Sequence, residues 1–560
     1  MKKYKWLLPI VSATALVTPM CVSLASCKKK DDKYKQVVAN IKQAAIEEFK
    51  QICNHPRPTG NCDEIRHYLL NRIYKSGYIA QTDNYGNIWF DIPATNKRED
   101  DKKLIFQGHM DMVVAGMTQA EQAMTPIYPT IETIDGQQVM HSVDYKTSLG
   151  ADNGIGIGIM LAIMDNEDIE HGPIRFIITA DEESGMVGAS RLNPIALDSD
   201  YLLNIDGETG DQLIKSSAGS VQGLYADSID AEAMKTKNEL ETGGVEYGGH
   251  KLSIKGLRGG HSGVDIKGRL SADRALCEIL KDFNDEFNNL DGGIALYSFE
   301  HNDEHDQPIS WGPTQIITAA QTYFLSTKPT SEMTLQKVIE SKKAEWKTKY
   351  PDENWDNVEI KLEDWQTQAA QKFIQLSTSY KIITLTGTQY KPELEEQTGL
   401  PYGYLPSKDP HETRPEASAN IGPLSIVGRE FSLKNYSRSA INQNIDWFEN
   451  NNKKQWMDRF TAEGFSTPTK YYGWAGDNPN KMIDLMMKAG KYFEKEQTIV
   501  DMLAGLELCW FKVKRPTINL TSIGPTITFA HNVKETLYLD TLDFTIERML
   551  YAMDHINEIE

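Results

Sequence analysis

The chain has 560 residues, too many for one hydrophobic core, so two or more domains are expected. Its 40% hydrophobic and 25% charged residues belong to an ordinary globular protein, not to a low-complexity or disordered chain. The formal net charge of -20 and the lack of a basic stripe argue against nucleic acid as a partner, because phosphate binding needs clustered Lys and Arg.

Lys2, Lys3 and Lys5 precede a largely apolar run ending at Leu24, the pattern of a secretory signal peptide over residues 1–27. The run closes on Leu24-Ala25-Ser26-Cys27, which resembles the lipobox of bacterial lipoproteins. That resemblance implies lipidation at Cys27, a polar linker at 28–35, and a body anchored by lipid to the extracytoplasmic face of the cell membrane. The remaining cysteines, Cys53, Cys62, Cys277 and Cys509, match no zinc-ribbon spacing and are too few for a disulfide scaffold. Cys53 and Cys62 are near enough in sequence to pair; all four are read as structural.

Beyond the linker, helical patterns at 34–53 and 63–76 flank a Pro-rich turn, and strands are expected at 88–92 and from 103. Helix 154–166, strand 174–179, a helix near 187–192 and strand 201–205 follow. This alternation predicts an α/β fold with a sheet flanked by helices. From about Lys215 the texture changes: Gly-rich turns surround 251–263, and a helix runs through 270–287. A hydrophilic stretch over 300–415 reads as helical pieces and charged loops, and 422–448 as strand, turn and helix. We divide the chain into a catalytic domain made of an N-terminal segment (36–214) and a C-terminal segment (461–560), interrupted by an inserted α+β domain (215–460).

Five short segments concentrate acids and histidines where strands end. In Gly108-His109-Met110-Asp111, extended backbone puts His109 and Asp111 on one side, which suits a ligand histidine oriented by a carboxylate. Asp152 lies in the Gly-rich loop Ser148-Leu149-Gly150-Ala151-Asp152-Asn153-Gly154, which lacks any phosphate-binding fingerprint; there it is the best candidate to bridge two cations. Glu182 and Glu183 follow an apolar strand and face different ways, so one can bind metal while the other takes a proton from water. Asp206 follows the next strand, where open α/β sheets place their sites, and His531 follows the turn Gly524-Pro525. No pair is decisive, but together two histidines and four carboxylates suit zinc, manganese or cobalt.

Thr147–Gly156, Lys255-Gly256-Leu257-Arg258-Gly259-Gly260-His261-Ser262-Gly263 and Ser522–Thr528 carry a further signal. With the five segments, they resemble the cocatalytic-zinc peptidase family that includes carnosinases and aminoacylases. The resemblance implies a zinc-peptidase-like mixed sheet, interrupted by a lid or dimerisation domain. It makes His109 and Asp206 terminal ligands of one cation, Glu183 and His531 of the other, with Asp152 bridging. Glu182 becomes the general base, Asp111 the partner of His109, and His261 the oxyanion stabiliser, which in many relatives reaches across a dimer. Asn420 and Arg438 match positions that hold the substrate's carboxylate or main chain. The implied reaction is hydrolysis of dipeptides, of Xaa-His type or broad range. An N-acyl-amino-acid amidohydrolase and a non-catalytic peptide-binding surface lipoprotein stay open as alternatives.

Overall fold

The computed structural model describes residues 18–260, 266–285, 293–301, 315–328, 335–386, 399–406, 415–477, 479–502 and 504–559, with side chains from Tyr34 onward. The chain divides into two compact units: Met1–Ile214 with Asn478–Ile499 and Trp510–Glu560, and Lys215–Asp477 with Val500–Cys509. The return to the catalytic domain expected at 461 is therefore too early. Phe465–Tyr471 is still a strand of the second unit, paired antiparallel with Gly219–Ser228.

The first unit is built on an eight-stranded sheet, whose last two strands run on past Ile214 and Ile499. Its order is Gln81–Thr82, Ile88–Ile92, Ile174–Thr179, Leu104–His109, Tyr201–Asn204, Asn519–Ser522, Gln212–Ser217 and Thr498–Met502. Leu104–His109 runs parallel to both Ile174–Thr179 and Tyr201–Asn204, and Asn519–Ser522 runs parallel to Tyr201–Asn204. These central strands are buried on both faces, as parallel strands covered by helices must be. Their carboxyl ends converge on one edge, the edge that carries the site.

Helix Ala151–Met164 is buried along its whole length, so its sequence is apolar all round instead of striped. Its glycines are there for close approach. A Cβ on Gly158 would stand 2.7 Å from the Ala45 carbonyl, and one on Gly154 would stand 2.7 Å from the Phe49 ring. Both neighbours belong to helix Thr18–Cys53. Gly156 faces the other way, where a Cβ would come within 2.9 Å of the Ile205 carbonyl. The helix is thus wedged between a second helix and the sheet, which fixes its first turn.

Helix Thr18–Cys53 runs through the polar stretch 28–35, which is continuous helical backbone. No proline or glycine interrupts residues 20–55, and Lys and Asp do not break a helix that is nucleated on either side. Cys53, Cys62, Cys277 and Cys509 are buried free thiols.

The second unit has its own core, with Leu276, Phe283, Phe324, Trp346 and Trp456 among its buried residues. Its antiparallel sheet runs in the order Glu359–Asp364, Tyr247–Lys255, Ala320–Thr327, Ile294–Glu300, Pro415–Val427, Glu430–Ser439, Gly219–Ser228 and Phe465–Tyr471, and Gly403–Pro406 also pairs with Pro415–Val427. Two expectations change here. The stretch 300–415, read as helical pieces and loops, supplies the interior strand Ala320–Thr327, which is buried on both faces and so shows no alternation. The segment 422–448 has a second strand before its helix, because Gly428 adopts φ +62 and turns the chain back into a hairpin.

Candidate metal centre

Each acidic or histidine segment of the first unit ends at the same sheet edge. His109 closes Leu104–His109, Glu182 and Glu183 follow Ile174–Thr179, and Asp206 follows Tyr201–Asn204. Asp152 lies in the first turn of Ala151–Met164, and His531 follows the short strand Ile527–Thr528.

The geometry centres on Asp152. Its Oδ1 lies 3.1 Å from Nε2 of His109, and its Oδ2 lies 3.1 Å from Nε2 of His531. Asp206 Oδ1 is 3.2 Å from the same His109 nitrogen, and Glu183 Oε1 is 2.9 Å from the same His531 nitrogen. Ligand atoms of His109, Asp152 and Asp206 all lie within 4.8 Å of one another, as do those of Asp152, Glu183 and His531. An oxygen of Glu182 joins His109 and Glu183 in a third such group.

The donors fit divalent cations. At 2.9 Å, Glu183 Oε1 approaches His531 without hydrogen-bond geometry, and this buried oxygen has no hydrogen-bond partner. Two ligand atoms that face a common point, not each other, produce this pattern. Imidazole and carboxylate donors with no thiolate suit zinc, manganese or cobalt. Two clusters sharing one carboxylate offer donor sets for two cations.

Charge follows from the same packing. Burial disfavours a proton on either imidazole, yet the surrounding carboxylates outweigh it. The His109 pKa stands well above its ordinary value, held up by Asp206 and by Asp111 and Asp152. Glu183 and Asp152 push His531 up to about 12. Burial opposes ionisation of Asp152 too, but the two histidines hold its carboxyl well below the usual range. Glu183 is raised by burial and by the charge of Asp152. Cations bound here would displace the protons that the imidazoles otherwise carry.

Asp111 is fully buried and organises the backbone of Glu182 and Glu183. Its Oδ1 accepts from the Glu182 backbone N–H at 2.9 Å, and its Oδ2 from the Glu183 N–H at 3.2 Å and the Thr59 hydroxyl at 2.9 Å. It also faces Nδ1 of His109 at 3.4 Å. Burial would raise its pKa, but His109 and the two N–H groups lower it. His109 is 1% exposed whereas His531 is 46% exposed, so the cluster opens to solvent on the His531 side.

Two residues were missed in the sequence. Arg57 and Glu535, each 1% exposed, bind the backbone of the Asp152 loop. The four-residue spacing from His531 to Glu535 was the only signal, and by itself it specifies nothing. Burial, opposed by the Gly150 N–H, pushes the Glu535 carboxyl up to about 7.

The structure therefore brings together His109, Asp111, Asp152, Glu182, Glu183, Asp206 and His531. Asn420 and Arg438 lie buried on neighbouring strands of the second unit, where Ser418 is the cross-strand partner of Arg438 and Tyr436 that of Asn420. The Asn420 amide donates to the Gln315 carbonyl at 2.8 Å, and Arg438 stacks on Tyr436. His261 and the side chain of Cys27 lie outside the described residues.

A parallel-centred α/β sheet with paired histidines and carboxylates at its carboxyl edge defines a metal-dependent hydrolase. The chain belongs to peptidase family M20/M25/M40, whose profile matches residues 105–555, and it is a metallopeptidase. It is similar to the cytosol non-specific dipeptidase of Escherichia coli K12, with 28% identity over 505 residues that cover 88% of this chain and 93% of the relative. The aminoacylhistidine dipeptidase of Vibrio alginolyticus aligns at a TM-score of 0.68 and 25% identity, over 91% of this chain and 96% of that one. A tripeptidase from Staphylococcus aureus shares the fold at a TM-score of 0.51 and 14% identity, over 92% and 99% of the two chains.

Proposed function

We propose that the chain hydrolyses the peptide bond of dipeptides, using two divalent cations, with zinc first and manganese or cobalt as substitutes. One observation carries this reading: the two oxygens of Asp152 face different histidines, each at 3.1 Å. In this account His109 and Asp206 would hold one cation and Glu183 and His531 the other, with Asp152 shared by both sets. When bound, the cations polarise the scissile carbonyl and lower the pKa of the attacking water.

The remaining chemistry belongs to the chain. Glu182 takes the proton of the attacking water and delivers it to the leaving amine. Asp111 fixes the backbone of Glu182 and Glu183, so the base and its neighbouring ligand keep separate directions. By family resemblance, His261 stabilises the oxyanion and Asn420 and Arg438 hold the substrate's carboxylate or main chain, with a homodimer as the working assembly. The names of the Escherichia coli and Vibrio relatives support a dipeptide substrate, of broad or Xaa-His type.

The Leu24-Ala25-Ser26-Cys27 segment supports a lipid anchor at Cys27, which would hold the enzyme on the outer face of the cell membrane. Loss of detergent-phase partitioning in a Cys27→Ser chain is expected; unchanged partitioning would refute the anchor. A panel of dipeptides set against N-acetyl amino acids tests the substrate. Turnover of dipeptides is expected, and turnover of the acylated amino acids alone would overturn the reading.

A further inference from the structure

The side chain of Asp152 is committed to two histidines, so its position has to be set through its backbone. That backbone lies in a loop whose entry, Gly150, adopts φ +68, a conformation that favours glycine. The N–H groups of Gly150 and Asp152 are both taken by one carboxylate. Glu535 Oε2 accepts from Gly150 at 2.8 Å and Oε1 accepts from Asp152 at 3.1 Å. On the other side of the loop, Arg57 Nη2 donates to the Gly150 carbonyl at 2.6 Å. Arg57 Nη1 lies 3.4 Å from the carbonyls of Met110 and Asp111, on the segment that follows His109.

Among the described residues neither charge is used in an ion pair. Both are buried, and both are committed to backbone groups. The guanidinium's bond to the Gly150 carbonyl is charge-assisted, and such bonds are roughly twice as strong as neutral ones. The pair also links the ligand segments. Glu535 comes from the stretch that carries His531, and Arg57 touches the one that carries His109. Three chain-distant pieces are thereby tied at the loop that presents Asp152.

We propose that Glu535 and Arg57 are positioning residues that clamp the Asp152 loop, so that one carboxylate serves two cations at once. The inference rests on the two-cation reading above and extends it to residues that contact no cation. It is specific about chemistry. Two convergent N–H donors need two acceptor oxygens, so an amide at position 535 would set its own N–H₂ against one of them. An ammonium at position 57 is a single point and cannot span the Gly150 carbonyl and the Met110–Asp111 pair.

The test is zinc uptake by the full-length, metal-stripped chain, measured by competition with a chromogenic chelator at a temperature well below unfolding. Wild type is expected to load two zinc ions. Glu535→Gln is expected to bind zinc about 10–100-fold more weakly, the usual effect of removing an outer-sphere partner. Arg57→Lys is expected to weaken it in the same direction, and it decides the matter if Glu535→Gln does not fold. Two zinc ions bound with wild-type affinity by the folded variants would overturn the clamp while leaving the metallopeptidase reading intact. A wild-type chain that takes up no zinc, manganese or cobalt would overturn both.

Discussion

Replacing Asp111 with Ala removes the acceptor for two backbone N–H groups and one hydroxyl in a fully buried position. The hydroxyl has a substitute, because Thr59 Oγ1 already lies 3.1 Å from the Met112 carbonyl. The Glu182 and Glu183 N–H groups lose the carboxylate oxygens that accept from them. A buried donor left unsatisfied costs about 1–3 kcal/mol, and because these two N–H groups are only part-buried their joint loss is about 1–3 kcal/mol, before any contribution from His109. The assay is urea unfolding of the metal-stripped chain, read as the shift of the transition that involves the first unit. Dipeptide turnover of the reloaded protein is measured in parallel. Asp111→Ala should lower stability by that amount, and turnover should fall further still, because the same carboxylate orients Glu182. A stability loss under about 1 kcal/mol, with turnover intact, would show that Asp111 does not organise the backbone of Glu182 and Glu183.

Metal uptake should tighten as pH rises. In the metal-free chain His531 is pushed up to about 12 and His109 well above its ordinary value, so both are protonated near neutrality and a cation must displace those protons. Each proton released steepens the apparent affinity by roughly tenfold per pH unit, measurable by calorimetry in buffers of different ionisation heat; affinity flat between about pH 6 and 9 would contradict this. For metal-free stability the sign is opposite. Raised folded-state pKa values stabilise most fully below about pH 6.5, the unperturbed histidine value, and that contribution fades as pH climbs toward the raised values. Gly524→Ala should be poorly tolerated, since its Cβ would stand 1.7 Å from the Gly207 carbonyl, beside the loop that carries Asp206. A melting point lowered by a destabilisation of about 1–3 kcal/mol or more is expected, with weaker zinc retention; an unchanged melting point would refute the close approach.

The segments of the candidate metal centre were legible as short local patterns: an acid or histidine at a strand's end for three of them, a Gly-rich loop for Asp152 and a Gly-Pro turn before His531. His109, Glu183 and Asp206 were readable as strand-end residues, since the strands at whose ends they sit are mostly apolar. What joins those residues was not legible. Glu535 and Arg57 bind N–H and C=O groups, which every residue carries, so no side-chain pattern marks the partners. The strand Ala320–Thr327 escaped for a related reason, because burial on both faces erases the alternation that reveals a strand. The helix over 28–35 escaped because a run of Lys and Asp is polar in any conformation, and its helicity is inherited from the flanking turns.

The role of Glu182 is the claim on which the reaction depends. Its oxygen lies within 4.8 Å of ligand atoms of His109 and Glu183, close enough to serve the same reacting centre. The most direct measurement pairs metal content with dipeptide hydrolysis for wild type and Glu182→Gln. The account predicts that the variant keeps two cations per chain while turnover drops by roughly 10²–10⁴-fold, the usual contribution of a positioned general base. A variant that retains both its metal and its wild-type turnover would contradict it.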